Sequence, residues 1–289
     1  DCVVINFKNR ILLFTTDIVM ENTHFFPNST PEKIGSFTAS INLSDIAACG
    51  GIPQNFLLAL SVPPEMEFDT LQRIFKGVKN QLKKFNCSIS GGDIKSSSRI
   101  TLTGFITGYC KGKNVLLRNM VRIGDLVAVT GYVGRAGYGY HLAMKFNDRK
   151  NSEKYLLDID PKVKFGIELN ALNTRIACMD ISDSIASSLW TLAEINNVGF
   201  NINYERLPLF KKLNEVDEQA REYYSLYFGG DYELLFTFSE DNLQSVETIS
   251  RKLKEPVTVI GRVVRGKNVT LVRDQKSAVL EDKSFRHFG

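Results

Sequence analysis

Residues 55–85, NFLLALSVPPEMEFDTLQRIFKGVKNQLKKF, set a strand and a helix side by side in one short stretch. The apolar run 55–62 is stopped by Pro63 and Pro64, which cannot donate to a strand ladder. Leu71, Ile74, Phe75, Val78, Leu82 and Phe85 then recur at three- and four-residue steps, the spacing of one helix face. A helix with an apolar stripe needs a surface to bury it on, and the neighbouring strand supplies one. The stretch therefore predicts a helix packed on a sheet.

The same alternation extends in both directions. Residues 2–7 (CVVINF) and 11–16 (ILLFTT) read as short strands around the turn Lys8-Asn9-Arg10. A helix is predicted from Thr30-Pro31 to about Gly50-Gly51, because a hydroxyl before a proline at the first helical position is a start signal. Residues 100–109 (ITLTGFITGY) alternate as a half-buried strand does. Further on, strands are expected at 126–130, 176–181, 232–238 and 257–263, with helices near 136–146, 184–196 and 240–254. The pattern predicts an α/β (α+β) chain. Its 289 residues suit two domains, and a boundary falls near 111–124.

Composition narrows the function classes. The chain is 43% hydrophobic and 24% charged, as globular proteins are. No run approaches the roughly 18 apolar residues of a membrane span, and no signal-like segment opens the chain, so a cytoplasmic protein is expected. Net charge is +4 with Lys and Arg scattered. The densest cluster, Lys76 to Lys84, is interrupted at helical spacing, which reads as a solvated helix face rather than a nucleic-acid stripe. Cys2, Cys49, Cys87, Cys110 and Cys178 form no C-x-x-C motif and are expected as free thiols.

One pattern recurs: an apolar run that ends in small or hydroxyl residues and then Asp. It occurs as ILLFTTD (Thr15, Thr16, Asp17), INLSD (Ser44, Asp45), SISGGD (Gly91, Gly92, Asp93) and ACMDISD (Asp180, Ser182, Asp183), with Asp1 a further candidate. Each alone suits a turn or a helix cap, as Asp45 and Asp183 could be. Gathered at one rim of a sheet they would repel one another unless cations offset them. Oxygen ligands without a His or Cys cluster favour Mg2+. His24, His141 and His287 belong to no triad or H-E-x-x-H arrangement. His141 sits in a predicted helix and reads as a packed side chain. A phosphorylated acceptor needs no base, since its second pKa of about 6 leaves it mostly dianionic at neutral pH.

There is no phosphate-loop motif. TGYVGRAGYGY (Gly131, Gly134, Gly137, Gly139) fails the dinucleotide fingerprint because the third glycine position falls on Leu142. It is expected as a close-packed turn near phosphate. FGGDYELLF (Gly229 to Phe236) reads as a glycine pair running into a strand.

Taken together, DCVVI, TTDIVMENTHF, INLSDIAACGGIP, SGGDI, LLRNMVRIGD, TGYVG, MDISDSIASSL, GGDYELLF, IGRVV and the closing FRHFG resemble the thiamine-monophosphate kinases, of the superfamily that includes aminoimidazole ribonucleotide synthetase. The resemblance spans essentially the whole chain. It implies transfer of the ATP γ-phosphoryl group to thiamine monophosphate, several Mg2+ ions and a homodimer. The implied fold is a two-domain aminoimidazole ribonucleotide synthetase-like one. Residues 1–117 would be its ATP- and metal-binding, dimerising domain, and residues 118–289 the α/β domain that completes the cleft.

By motif position, Asp1, Thr15, Thr16, Asp17, Asp45, Asp93, Asp180 and Asp183 would be metal ligands. Gly92, Asp93, Arg118 and Ser182 would contact ATP, with His24 and Phe285 at the acceptor. The chain departs from the family pattern at four places. Gly230 replaces the first Glu of G-G-E-D-Y-E-L, and Ser184 stands where D-G is usual. Arg286 replaces the Asp of F-D-H-F, and Ile94 and Lys95 replace the threonines after G-G-D. The metal positions survive while the acceptor end is altered. The rival readings are another superfamily enzyme, such as aminoimidazole ribonucleotide synthetase, and a nucleotide-binding paralogue without turnover.

Overall fold

A computed structural model describes residues 1–111 and 114–284. The chain forms two compact units. One comprises Asp1–Ala47, Gly51–Val115 and Gly139–Val163; the other comprises Ala48–Gly50, Leu116–Tyr138 and Lys164–Gly289. Residues 139–163 thus cluster with the N-terminal unit, although they follow the boundary region near 111–124 in sequence.

The first unit is built on β1 (Val3–Phe7), β2 (Arg10–Met20), α1 (Pro31–Ala48), β3 (Ile52–Val62), α2 (Phe68–Lys83), β4 (Ser88–Ser96) and β5 (Thr101–Cys110). Its five strands lie in the order β1-β2-β5-β3-β4, with only β3 and β4 parallel. Strand β5 alternates fully: Leu102, Gly104, Ile106, Gly108 and Cys110 face inward, and the intervening residues are partly exposed. The inner face is covered by α1, whose Asn42 and Ile46 pack over Gly104 and Gly108.

The helix α1 is buried along most of its length, including the polar Thr38, Ser40, Asn42 and Ser44. Its start is held from a distance. The buried Glu153 accepts from Thr30 N at 2.9 Å and Thr30 Oγ1 at 2.7 Å, placing a carboxylate at the positive helix end.

In α2 the buried face keeps Ile74, Val78 and Leu82 of the predicted stripe and adds Gly77 and Gln81. Leu71 and Phe75 are only half-buried, and Phe85 lies past the helix end. The cause is backbone contact with α1. A Cβ on Gly77 would collide with the Glu32 carbonyl, and one on Gly35 with the Ile74 carbonyl. Gln81 then donates to Ser40 at 2.7 Å, and Arg73 clasps Glu32 with two 2.9 Å bonds.

The helix α3 (Arg135–Phe146) begins in the second unit, and α4 (Arg149–Leu156) belongs to the first. The rest of the second unit comprises β6 (Leu126–Thr130), α5 (Val163–Ala171, from Lys164), β7 (Ile176–Asp180), α6 (Ile185–Asn196), β8 (Gly199–Asn203), α7 (Glu218–Leu226), β9 (Leu234–Phe238), α8 (Leu243–Leu253), β10 (Val257–Val264), β11 (Val269–Arg273) and β12 (Lys276–Val279). Seven strands run in the order β12-β11-β8-β10-β6-β9-β7, and only β11 and β8 pair in parallel. The core joins Val127, Val129, Leu189, Leu192, Phe200 and Leu235.

In the second unit β9 and α8 start later than expected. β9 starts at Leu234 because Gly230 and Tyr232 take positive φ of 95° and 52°, which no strand allows. The helix expected from 240 begins as a short 3-10 turn over Glu240–Asn242. Short elements with weak periodicity, such as α4, α5, α7, β8 and β11, were not expected from the sequence. No described helix is long and apolar enough to cross a membrane.

Gly77→Ala should lower unfolding stability by about 1–3 kcal/mol in urea, although alanine favours a helix by about 1 kcal/mol over glycine. A more stable variant would contradict the backbone contact between α1 and α2.

Candidate active site

In the first unit the sequence motifs meet across β2 and α1. β2 runs on to Met20 because it pairs with β5 from Ile11 through Met20. Thr15, Thr16 and Asp17 therefore sit within a strand, not at its end as the motif pattern had suggested. Thr15 and Asp17 share the inner face, opposite Ile106 and Gly104. Asp45 lies within α1 rather than capping a turn.

The Thr15 hydroxyl donates a short hydrogen bond to Asp45 Oδ2 and lies 3.4 Å from the Asp1 carbonyl oxygen. One carboxylate oxygen of Asp1 comes within 4.8 Å of one of Asp45, and both residues are half-buried. Two partly desolvated carboxylates at that separation repel. With a hydroxyl beside them, they form an oxygen-only donor set of the kind a hard divalent cation takes.

Asp93 is elsewhere. Across the sheet Asp17, Gly104, Leu58 and Gly92 form one row on the inner face, while Ile18, Thr103, Ala59 and Asp93 form the adjacent row on the outer face. Asp93 thus lies on the opposite face from Asp17 and three strands away, so the candidates do not all gather at one rim. Its carboxylate pairs with Lys95 Nζ at 2.9 Å and accepts from Ile94 N at 2.9 Å. The Lys95 bond holds it below the usual carboxylate range. Gly92 is a close-approach position, since a Cβ there would collide with the Leu58 carbonyl. Thr16, on the outer face, donates to the Gly104 carbonyl at 2.8 Å.

His24 follows β2 in a turn. Its Nδ1 accepts from Met20 N at 3.1 Å, so the proton of the neutral ring sits on Nε2 as a donor. His141 is buried and packs edge-on to Phe146 at 5.6 Å, as a core histidine does.

In the second unit the remaining candidates converge on β7. Leu117 bridges Ala177, and Cys178 N donates to Leu117 O, which seats the Arg118–Met120 turn against that strand. Asn196, the last residue of α6, brackets the turn. Its Nδ2 donates to Arg118 O at 2.9 Å, and its Oδ1 accepts from Val121 N at 3.2 Å. Arg175 adds a bond to Met120 O at 2.7 Å and a bidentate pair with the buried Asp125 at 2.6 Å.

Asp180 ends β7, buried, and Ser182 and the exposed Asp183 lie on the loop that follows. Gly229 and Gly230 cradle that loop. A Cβ on Gly229 would stand 2.5 Å from Ser182 O and 2.6 Å from Asp183 O, so only glycine fits. Gly230 N donates to Ser182 O at 2.7 Å and Tyr232 N to Ile181 O at 2.9 Å. Helix α6 is capped by Ser184, not Asp183: the Ser184 hydroxyl accepts from Ser187 N at 3.0 Å.

The turn before α3 is filled from within. Asp231 accepts from Gly134 N at 2.6 Å and Ala136 N at 3.0 Å. The helix end expected near phosphate therefore already holds a carboxylate. Loss of solvent around it pushes the Asp231 carboxyl up to about 6, against the pull of these backbone donors. Glu233 accepts from Thr130 Oγ1 at 2.6 Å. Phe285 lies outside the described residues.

Sequence reasoning missed Asn196 and Gly229 as parts of this arrangement. A lone Asn at a helix end carries no signal, whereas the glycine pair before Asp231 was visible but read only as a turn.

Family models for AIR synthase related protein match the chain over residues 1–110 (N-terminal domain) and 122–274 (C-terminal domain). A thiamine-monophosphate kinase from Buchnera aphidicola subsp. Acyrthosiphon pisum is 33% identical over 291 residues, covering 97% of this chain and 88% of that one. One from Pyrococcus horikoshii is 32% identical, covering 99% and 89%. A solved structure described as AaThiL complexed with AMPPCP and TMP superposes with a TM-score of 0.87 at 28% identity, covering 99% of this chain and 90% of that chain.

Because the Asp231 carboxyl is raised in the fold, the folded state keeps its proton longer than the unfolded chain. Its contribution to stability is full below the ordinary carboxylate value of 3.8 and is lost as pH rises through about 6. Asp231→Asn cannot titrate. Melting curves from pH 4 to 7 should show the wild type losing stability relative to this variant across that window, and parallel curves would refute the assignment.

Proposed function

The chain belongs to the thiamine-monophosphate kinase family, within the AIR synthase related proteins, and on that footing we propose that it transfers the γ-phosphoryl group of ATP to thiamine monophosphate, giving thiamine diphosphate and ADP. The observation that carries this reading at the level of chemistry is the Asp1–Asp45 carboxylate pair with the Thr15 hydroxyl bonded to it.

The nucleophile is a phosphate oxygen of the acceptor, so no side chain has to remove a proton. A direct in-line displacement needs two polyanions to meet, and the barrier is their repulsion. Magnesium, when bound, supplies the charge that offsets it. Asp1, Thr15, Thr16, Asp17, Asp45, Asp180 and Asp183 are the residues we assign to hold it. Arg118 and Ser182 bind the ATP phosphates; the guanidinium suits this because it stays protonated. Gly92 and Asp93 serve the nucleotide through the edge strand β4 rather than through the Asp1–Asp45 pair. His24 offers its Nε2–H to the acceptor phosphate, and Phe285 serves the thiamine end.

Residues 1–117 also carry the homodimer contact in this reading. The outer sheet face exposes Val3, Ile5, Phe7, Ile18 and Leu57, with Phe14 stacked on Phe105 at 6.2 Å, an apolar surface of the kind that a second copy covers. Cytoplasmic residence fits the thiols of Cys2, Cys49, Cys87, Cys110 and Cys178, which form no disulfide among the described residues.

Protein mixed with Mg-ATP and thiamine monophosphate should yield ADP and thiamine diphosphate in equal amounts. Nucleotide binding without product would identify a paralogue that has lost turnover. Asp45→Asn should cut kcat by about 100-fold or more with an unchanged circular dichroism spectrum, since several kcal/mol of charge stabilisation is lost. Unchanged kcat at saturating magnesium would remove Asp45 from the ligand set. Ile5→Glu should shift the chain from dimer to monomer in sedimentation, and a variant that still sediments as the wild type does would move the interface elsewhere.

A further inference from the structure

The closing segment of the chain is tied to the loop that carries Ser182 and Asp183. Leu280 N donates to Val269 O at 2.8 Å, and Trp190 Nε1, on α6, donates to Leu280 O at 2.7 Å. Leu280 is itself buried in the core of the second unit. These contacts are enough to lay the segment down. Four residues on, the Ser284 hydroxyl comes 2.5 Å from the Ser184 hydroxyl, which is fully buried. This contact falls on the residue next to Asp183, whose Oγ already accepts from Ser187 N.

The Ile181–Ser184 loop is thus held from two sides. Gly229 and Gly230 fix its carbonyls, and Ser284 meets its last residue from the end of the chain. A Ser184 hydroxyl that accepts from Ser187 N and also pairs with Ser284 has its direction set, and the backbone of Asp183 is set with it.

We infer that Ser284, acting through Ser184, is a positioning residue for Ser182 and Asp183, so that the closing segment tunes the affinity for the magnesium-bound nucleotide. The inference rests on the kinase reading above and adds a role for residues that the family pattern does not supply, since Ser184 stands where glycine is usual. A single neutral hydrogen bond of this kind biases a loop about fivefold.

The test uses the full chain with Ser284→Ala and Ser284→Thr, neither of which removes the α6 cap. Calorimetry measures Mg-ATP affinity, and steady-state kinetics give KM for each substrate. Ser284→Ala should weaken Mg-ATP binding and raise its KM about fivefold, with KM for thiamine monophosphate and the melting temperature unmoved, and Ser284→Thr should restore the wild-type values. The role is overturned if Ser284→Ala binds Mg-ATP as the wild type does. It is equally overturned if threonine does no better than alanine, or if both KM values rise together with a fall in melting temperature. Wild-type protein that binds no Mg-ATP would instead sink the kinase reading, and this role with it.

Discussion

Like charges brought close are the constraint on which the site depends. Asp1 and Asp45 stand within 4.8 Å in a partly desolvated place, where two carboxylates raise each other's energy. The Thr15 hydroxyl relieves part of that strain by donating to Asp45, and in doing so it ties the middle of β2 to the last turn of α1. The arrangement needs a long strand and a nearly wholly buried helix. Thr15 must face inward at a register fixed by β5, and Asp45 must emerge from a helix whose start is held by Glu153.

Glycine supplies the second theme, through close backbone approach rather than flexibility. Gly35 and Gly77 let α1 and α2 meet main chain to main chain, which brings Gly77 and Gln81 into the buried face beside Ile74, Val78 and Leu82. Gly229 lets one loop lie against the carbonyls of another and so sets the course of Ser182 and Asp183. At Gly230 the φ of 95° suits a residue without a Cβ.

Helix ends show how one kind of chemistry serves two purposes. A carboxylate sits at the start of α1 and another at the start of α3, each accepting from backbone N–H groups. Both are structural, and both occupy positions that would otherwise attract phosphate. The phosphate-handling role proposed above is assigned instead to Arg118 and the Ser182 loop, held by Asn196, Arg175 and the glycine pair.

Local sequence determined the strand-then-helix stretch at 55–85, the hydroxyl-proline start of α1 and the alternation of β5, because periodicity and caps are properties of neighbouring residues. It also marked the Asp-bearing motifs, since their spacing matches a whole family's. Tertiary structure alone decided which of those carboxylates meet. Side chains alternate across a strand, so one residue of register separates Gly92 on the inner face from Asp93 on the outer. Strand order, set by pairings between distant segments, puts β4 at the far edge from β2. The occupant of the α3 N-terminus, Asp231, comes from the loop before β9, far along the chain, and no local pattern reveals such a partner.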